Sequence, residues 1–311
     1  MNEFKYSLDN KRYHTLNYYY KNKYNSKVSK ISLNGNFTCP NIDGSKGYGG
    51  CIYCSIMGSG EFAGKKNDDI ITQFNKIKKI EDRKWPNSKY IAYFQANTST
   101  YGSVDKLKSL FEPVLLEKNV IGLSVSTRCD CINDDVLEYL KDLNCRTNLT
   151  IELGLQSSKQ DTLDYLNRCE DINDIRNKIQ LLKKNNIEVV IHIIDGLPNE
   201  SIDDMLNTIR FINSLDVDGI KIHMLAILKH TKLEQIYIKN KFHILTKDEY
   251  IDIVIRQLEI LNPKIVIHRI TEDPKIDDLI EPKWLINKRQ LLNDIDKEMN
   301  KRKTYQGIYF R

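Results

Sequence analysis

No apolar run in this 311-residue sequence is long enough to cross a membrane; the strongest, such as 189–194, are the size of a strand. The opening MNEFKYSLDNKRYH lacks the apolar centre of a signal peptide, so export is not expected and the chain reads as cytoplasmic, with no membrane partner. No fixed-length repeat and no low-complexity linker occurs, so the parts of the chain are expected to pack on one core. Neither charge sign dominates: 47 Lys and Arg face 42 Asp and Glu, and a net charge of +5 argues only weakly for a polyanionic partner. What the sequence does contain is a 41% hydrophobic, 29% charged composition, that of a soluble globular protein. Its seven cysteines are an odd number without an export signal, which points to reduced thiols used for metal binding or catalysis.

Short β-branched runs alternate with longer amphipathic stretches. Strands are expected at 30–36, 89–94, 120–126, 149–153, 188–194 and 219–224. Between them, Ile70, Phe74 and Ile77 recur at helical spacing. Ser103 and Asn133 stand where helix caps belong, and Ser201 with Asp204 resembles a capping box. Six strand–helix units in sequence predict a parallel sheet with right-handed helical crossovers, hence an α/β fold whose ligands sit at the carboxyl ends of the strands. Outside this core, residues 1–29 form a polar, aromatic extension, with Tyr18, Tyr19, Tyr20, Lys21, Lys23 and Tyr24 clustered. Residues 246–311 form a small α+β extension, with a helix capped by Thr246 and Glu249, a strand at 264–270 and a helix at about 284–301.

Directly after the first strand comes FTCPNIDGSKGYGGCIYCSIMGSGEFAG, in which Cys39, Cys51 and Cys54 form a C-x11-C-x2-C pattern. Cys51 and Cys54 are spaced to clamp one metal centre, and the flexible loop lets Cys39 reach it. Glycines permit the backbone conformations a loop needs to wrap a cluster, and the exposed N–H groups can donate to sulfide and thiolate. Three ligands matter more than two, because a structural zinc or a simple electron-transfer cluster generally has four. No histidine lies between His14 and His192, so the loop holds no nitrogen ligand. The alternatives are a zinc knob completed by Cys129 or Cys131, giving a zinc-stabilised RNA-binding or scaffold protein without catalysis, or thiols that merely pack. A thioredoxin-like pair leaves the third cysteine and the glycines unexplained.

In this order, KISLNGNFTCPNIDGSKGYGGCIYC, GSGEFAG, YFQANTSTYG, IELGLQS, LNR, GLPNE, GIKIHMLAILKHT and PKWLINKRQLLNDID resemble the YhcC/YtqA family of the radical S-adenosylmethionine (SAM) superfamily, which shares features with the catalytic subunit of Elongator. The resemblance implies a partial (β/α)6 TIM-type barrel with a small C-terminal extension, spanning a core at 30–245 and the extension at 246–311. It implies a [4Fe-4S] cluster on Cys39, Cys51 and Cys54, with the methionine part of SAM on the remaining iron. Reductive cleavage of SAM would then give a 5′-deoxyadenosyl radical that abstracts hydrogen from substrate, fed by an electron donor of the flavodoxin or ferredoxin type. The cofactors carry the chemistry, and the protein supplies position and shielding.

The same resemblance suggests Gln95 and Asn97 for the methionine amino group, Gln156 and Glu152 for the ribose, and Arg168 for the carboxylate, which a planar guanidinium suits. Gly196, Leu197 and Pro198 are expected near the adenine, as is Tyr53. For several of these a plainer structural role is open: helix capping by Gln156 and Glu152, an Arg168–Asp164 ion pair. Thr127-Arg128-Cys129-Asp130-Cys131 and Asn167-Arg168-Cys169-Glu170 depart from the family pattern, and neither Cys129, Cys131, Cys169 nor Cys145 is assigned a role. His192, Lys221 and His223 are expected either to face the reaction chamber or to be core residues, with Arg269 and Glu272 closing over substrate. RNA is a candidate substrate, on the family likeness, the basic balance and the aromatic–lysine tract.

Overall fold

In the computed structural model, which describes residues 4–7, 9–55, 57–58 and 60–311, seven parallel strands form one sheet. The chain runs α1 (Leu16–Tyr24), β1 (Val28–Leu33), α2 (Ile70–Lys84), β2 (Lys89–Phe94), α3 (Val104–Leu115), β3 (Val120–Thr127), α4 (Asp134–Arg146) and β4 (Asn148–Gln156). It continues through α5 (Gln160–Tyr165), α6 (Ile172–Lys184), β5 (Glu188–Asp195), α7 (Ile202–Asn213), β6 (Gly219–Met224), β7 (Ile227–Leu228), α8 (Lys232–Lys239) and α9 (Lys247–Ile260). Last come β8 (Val266–Arg269), β9 (Leu279–Glu281) and α10 (Lys288–Lys301). Strand order is β1-β2-β3-β4-β5-β6-β8, so the strand of the C-terminal region extends the core sheet, while β7 and β9 pair separately. The expected caps are in place: Ser103 on α3, Asn133 on α4, and capping boxes Ser201/Asp204 on α7 and Thr246/Glu249 on α9.

Strand alternation sorts the two faces. Ile31, Leu33, Ala92, Phe94, Leu123, Val125, Ile151, Leu153, Ile191, Ile193, Ile220 and Ile222 are fully or almost fully buried in one core with the helices. Each such side chain contributes roughly 1.5–3 kcal/mol. The opposite parity is polar: Lys30, Ser32, Tyr93, Ser124, Ser126, Glu152, His192, Lys221 and His223. The registers Tyr93↔Ser124, Ser126↔Glu152, Gly154↔His192 and His192↔Lys221 bring these residues onto one face. Lys221 Nζ on β6 lies 3.1 Å from Tyr93 Oη on β2. In a flat sheet those strands would stand about 19 Å apart, beyond the reach of both side chains together. The sheet is therefore curled into a half-barrel with its polar face inside.

The N-terminal stretch, of which residues 1–3 and 8 lie outside the described residues, is tied to the barrel. Thr15 forms a parallel bridge to Ile267 of β8. From α1, Tyr20 is buried against Val28 and Ile91 at the amino ends of β1 and β2. Tyr19 Oη and Lys23 Nζ each donate to Glu188 Oε1 at 2.5 Å. The aromatic–lysine tract read as support for RNA thus has Tyr19, Tyr20 and Lys23 engaged in this packing. Lys21 and Lys23 are nonetheless exposed.

Candidate active site

Every functional element converges at the carboxyl ends of the strands. The loop between β1 and α2 folds over that end and is pinned from several sides. Gln73 of α2, 2% exposed, accepts from the N–H of Asn34 (2.9 Å) and donates to the carbonyls of Asn34 and Asp68. Asn41, fully buried, donates to the carbonyl of Asn167 and lies with Nδ2 3.5 Å from Cys51 Sγ. Asn167 returns a bond to the Gly50 carbonyl at 2.8 Å. The Ile52 N–H donates to Leu166, and Leu233 N–H to Ile52. Gly49 and Gly50 enter Cys51 at φ +73° and +72°, a conformation that β-carbons disfavour.

Cys39, Cys51 and Cys54 all line one cavity of about 370 Å³. So do Tyr53, Gln95, Asn97, Gln156 and Arg168 of the sequence-derived set. Glu152, Gly196, Leu197 and Pro198 do not line it. Leu197 is buried in the hydrophobic core, and the Gly196 N–H points to Met205 Sδ at 3.4 Å, toward α7. Apolar lining comes from Ile194 and from Met224, Leu225 and Ala226 after β6.

Arg168 is the hub beside the cysteines and is buried. Its Nη2 donates to the Gly154 carbonyl at 2.6 Å and to Glu170, and its Nη1 lies 3.5 Å from Tyr53 Oη and 3.9 Å from Cys51 Sγ. Its partner is thus Glu170, not Asp164. A second buried guanidinium, Arg128, donates to the Arg168 carbonyl at 2.9 Å, pairs with Asp130 at 2.8 Å and lies 3.7 Å from Glu170. Burial pushes the Glu170 carboxyl up, while both guanidiniums pull it down. The Cys51 thiol is held well below its ordinary range by the hydrogen bond from Cys54, with Arg168 and Arg128 adding to it against the effect of burial.

The residues fit a charged ligand at this wall. Gln156 Oε1, Arg168 Nε, Glu170 Oε1 and Asn41 Oδ1 are buried without hydrogen-bond partners, a costly arrangement unless something else meets them. Gln156 takes φ +69° just beyond a β-bulge after Gly154, which re-aims its side chain at the cavity rim. Asn97, at φ +56°, donates to the Phe37 carbonyl at 3.1 Å. Among the described residues, no group of three or more His, Cys, Asp or Glu is disposed to hold a single metal ion. A four-iron cubane is larger than an ion and meets its thiolates at separate corners. Cys129 and Cys131 are buried thiols pushed up by burial, Cys129 within the hydrophobic core. Cys145 and Cys169 are exposed.

Comparison with known proteins agrees with this geometry. Residues 47–212 match the radical SAM superfamily, and residues 217–301 the radical SAM C-terminal domain. The uncharacterized protein YtqA of Bacillus subtilis is 47% identical over 310 residues, spanning 100% of this chain and 96% of that protein. The chain belongs to the radical SAM superfamily. Protein YhcC of Escherichia coli is 31% identical over 279 residues, 89% of each chain. The solved structure of the archaeal Methanocaldococcus infernus Elp3 shares the fold at a TM-score of 0.69 and 18% identity, over 90% of this chain and 64% of that one. For a radical SAM protein of the YtqA/YhcC type, membership implies SAM and iron–sulfur use, and with them an enzymatic activity.

Below the cysteines lies a second polar centre whose assembly the sequence reading did not foresee. Glu152, fully buried, accepts from Lys30 Nζ (2.5 Å), Ser124 Oγ (2.6 Å), His192 Nε2 (2.8 Å) and Lys221 Nζ. Burial opposes its charge, but Lys221, Lys30 and His192 outweigh it, and the carboxyl stays well below the usual range. His192 is driven down to about 3 by burial and the Lys221 charge, so its imidazole is neutral. Across the cavity, Glu272 contacts His223, and Arg269 Nη2 reaches Asp273 at 2.8 Å. The available signal was one or two polar residues at the inward parity of each of the strands β1–β6. Arg128 and Glu170 were present in the departing motifs but carried no role there.

Proposed function

We propose that the chain binds a [4Fe-4S] cluster through Cys39, Cys51 and Cys54 and SAM beside it, and uses the pair to start a radical reaction on a substrate held in the same cavity. The observation that carries this reading is the convergence of the three thiols with Arg168 and the unpartnered Gln156 Oε1 at the carboxyl ends of the strands. When bound there, the cluster would supply one electron for reductive cleavage of SAM to methionine and a 5′-deoxyadenosyl radical able to abstract hydrogen from a substrate. The protein's own residues prepare that event. Arg168 and Arg128 set a positive field at Cys51 that favours thiolate, the form that ligates metal. Arg168, fixed by Glu170 and Gly154, presents a planar donor to the carboxylate of SAM. Gln95 and Asn97, just past β2, offer polar groups to its amino group, and Gln156 Oε1 an acceptor to the ribose hydroxyls. Tyr53 and the Met224–Ala226 wall cover the adenine side and exclude water.

Anaerobic purification tests the reading. About four iron and four sulfide per chain, and dithionite-dependent formation of 5′-deoxyadenosine from SAM, are expected. Cys51→Ala should abolish both, and retention of either in that variant overturns the assignment. RNA as the substrate is supported by the net charge and the family likeness alone, since Tyr19, Tyr20 and Lys23 are engaged with the barrel. Retention on tRNA that falls steeply with salt is its test, and failure to bind at low salt removes it.

A further inference from the structure

The floor of the cavity carries more positive than negative charge. Two ammonium groups, Lys30 and Lys221, share the single carboxylate of Glu152, and the third polar neighbour, His192, is neutral. Both ammoniums also lie near the Tyr93 ring, with Lys30 Nζ 4.8 Å and Lys221 Nζ 4.7 Å from its centroid. The described carboxylates elsewhere on the lining are already engaged: Glu272 and Asp273 share the Arg269 guanidinium, Glu272 also contacts His223, Asp273 reaches Lys288 at 2.6 Å, and Glu61 accepts from Ser55. Lys221 lines the cavity and is 8% exposed. It donates to Glu152 and, at 3.1 Å, to Tyr93 Oη. An ammonium has three donors, so one N–H beyond these two bonds is left for a ligand in the cavity that Lys221 lines.

We propose that this floor seats an anionic group, a carboxylate or a phosphate, carried by the substrate and held by the remaining N–H of Lys221. The inference rests on reading the cavity as the reaction chamber and adds the class of substrate to it. A buried cation with half a counter-charge is an expensive arrangement in a low-dielectric site, and a bound anion restores neutrality. Burial draws the Lys221 ammonium down to about 8, with Lys30 adding to the effect and Glu152 opposing it. Lys221 and Tyr93 are 8% and 5% exposed, which suits a terminal or pendant anion better than an internal phosphodiester. The Met224–Ala226 wall and the cysteines above it then face the part of the substrate from which hydrogen is taken.

Equilibrium dialysis of the cluster-loaded full chain against labelled inorganic phosphate and, separately, labelled succinate tests this. One equivalent of at least one anion is expected to bind, about tenfold or more weaker in Lys221→Gln, as loss of a charge-assisted hydrogen bond implies. Binding of phosphate alone or succinate alone assigns the head group. In the unaltered protein, the same anion should protect Lys221 from acetic anhydride, read by peptide mass spectrometry, so the result does not depend on how well the variant folds. Absence of binding by either anion, equal binding by Lys221→Gln, or an unprotected Lys221 each overturns the proposal. Turnover is not needed for this measurement. Anion binding without SAM cleavage sinks the enzymatic reading alone, and SAM cleavage without anion binding sinks this inference alone.

Discussion

Glu152→Gln keeps the shape of the side chain and removes the one negative charge shared by Lys30 and Lys221. Breaking a buried ion pair by deleting one partner costs about 3–5 kcal/mol, because the other charge stays buried without compensation. Here the side chain of Lys221 is 10% exposed and that of Lys30 17%, so Lys30 can turn part-way to water and the lower end applies, about 3 kcal/mol. That is roughly a 150-fold change in the folded-to-unfolded ratio. With a urea dependence of ~3 kcal/mol per molar for a chain of this size, the unfolding midpoint should fall by about 1 M. The assay is urea unfolding of the reduced, cluster-free chain at pH 7.5, followed by the fluorescence of Trp85 and Trp284. Adding Lys221→Met removes the stranded ammonium, so the double variant should regain more than half of the loss. A loss below about 1 kcal/mol, or strictly additive single variants, would refute the coupling of these charges.

Asp195, fully buried with Gln257 Nε2 2.7 Å from its Oδ1, is pushed by burial from 3.8 up to about 7. The folded chain therefore keeps a proton that the unfolded chain releases, and stability is lost as pH rises from about 4 to 7. Three pH units correspond to about 4 kcal/mol; Asp195→Asn should flatten this slope and raise the melting temperature at pH 8, and an unchanged pH profile contradicts the assignment. Arg168→Lys cannot serve Glu170, Gly154 and a carboxylate together, so SAM affinity by calorimetry should fall about tenfold to a hundredfold with iron content retained. Equal SAM affinity would remove Arg168 from the site. Gly50→Ala forces a β-carbon into φ +72° beside Cys51. It should cost only about 1–2 kcal/mol in unfolding but lower the iron retained on desalting, and unchanged iron would show that the loop tolerates the strain.

Much of the fold was legible because its signals are local. The six core strands and the caps at Ser103, Asn133, Ser201 and Thr246 follow from alternation and from side chains that satisfy nearby N–H groups. The cysteine loop was legible for the same reason, since its spacing and glycines lie within one segment. The role of α1 was not. An aromatic–lysine tract has the same composition whether it faces a polyanion or packs against a barrel, and the decision lay with Glu188, more than 160 residues away in sequence. The turn at 196–198 does not line the cavity, whereas Met224, Leu225 and Ala226 do.

The amino-acid order by itself determined which residues could share a face, because strand alternation is a property of the backbone, and it determined that three thiols would sit on one glycine-rich loop. Only the tertiary structure decided which polar residues meet. Curling the sheet brings Lys30, Tyr93, Glu152, His192 and Lys221 from five strands within hydrogen-bonding or ring-contact distance. Their net charge, and with it the kind of group the chamber can hold, is a sum over neighbours that no single segment contains.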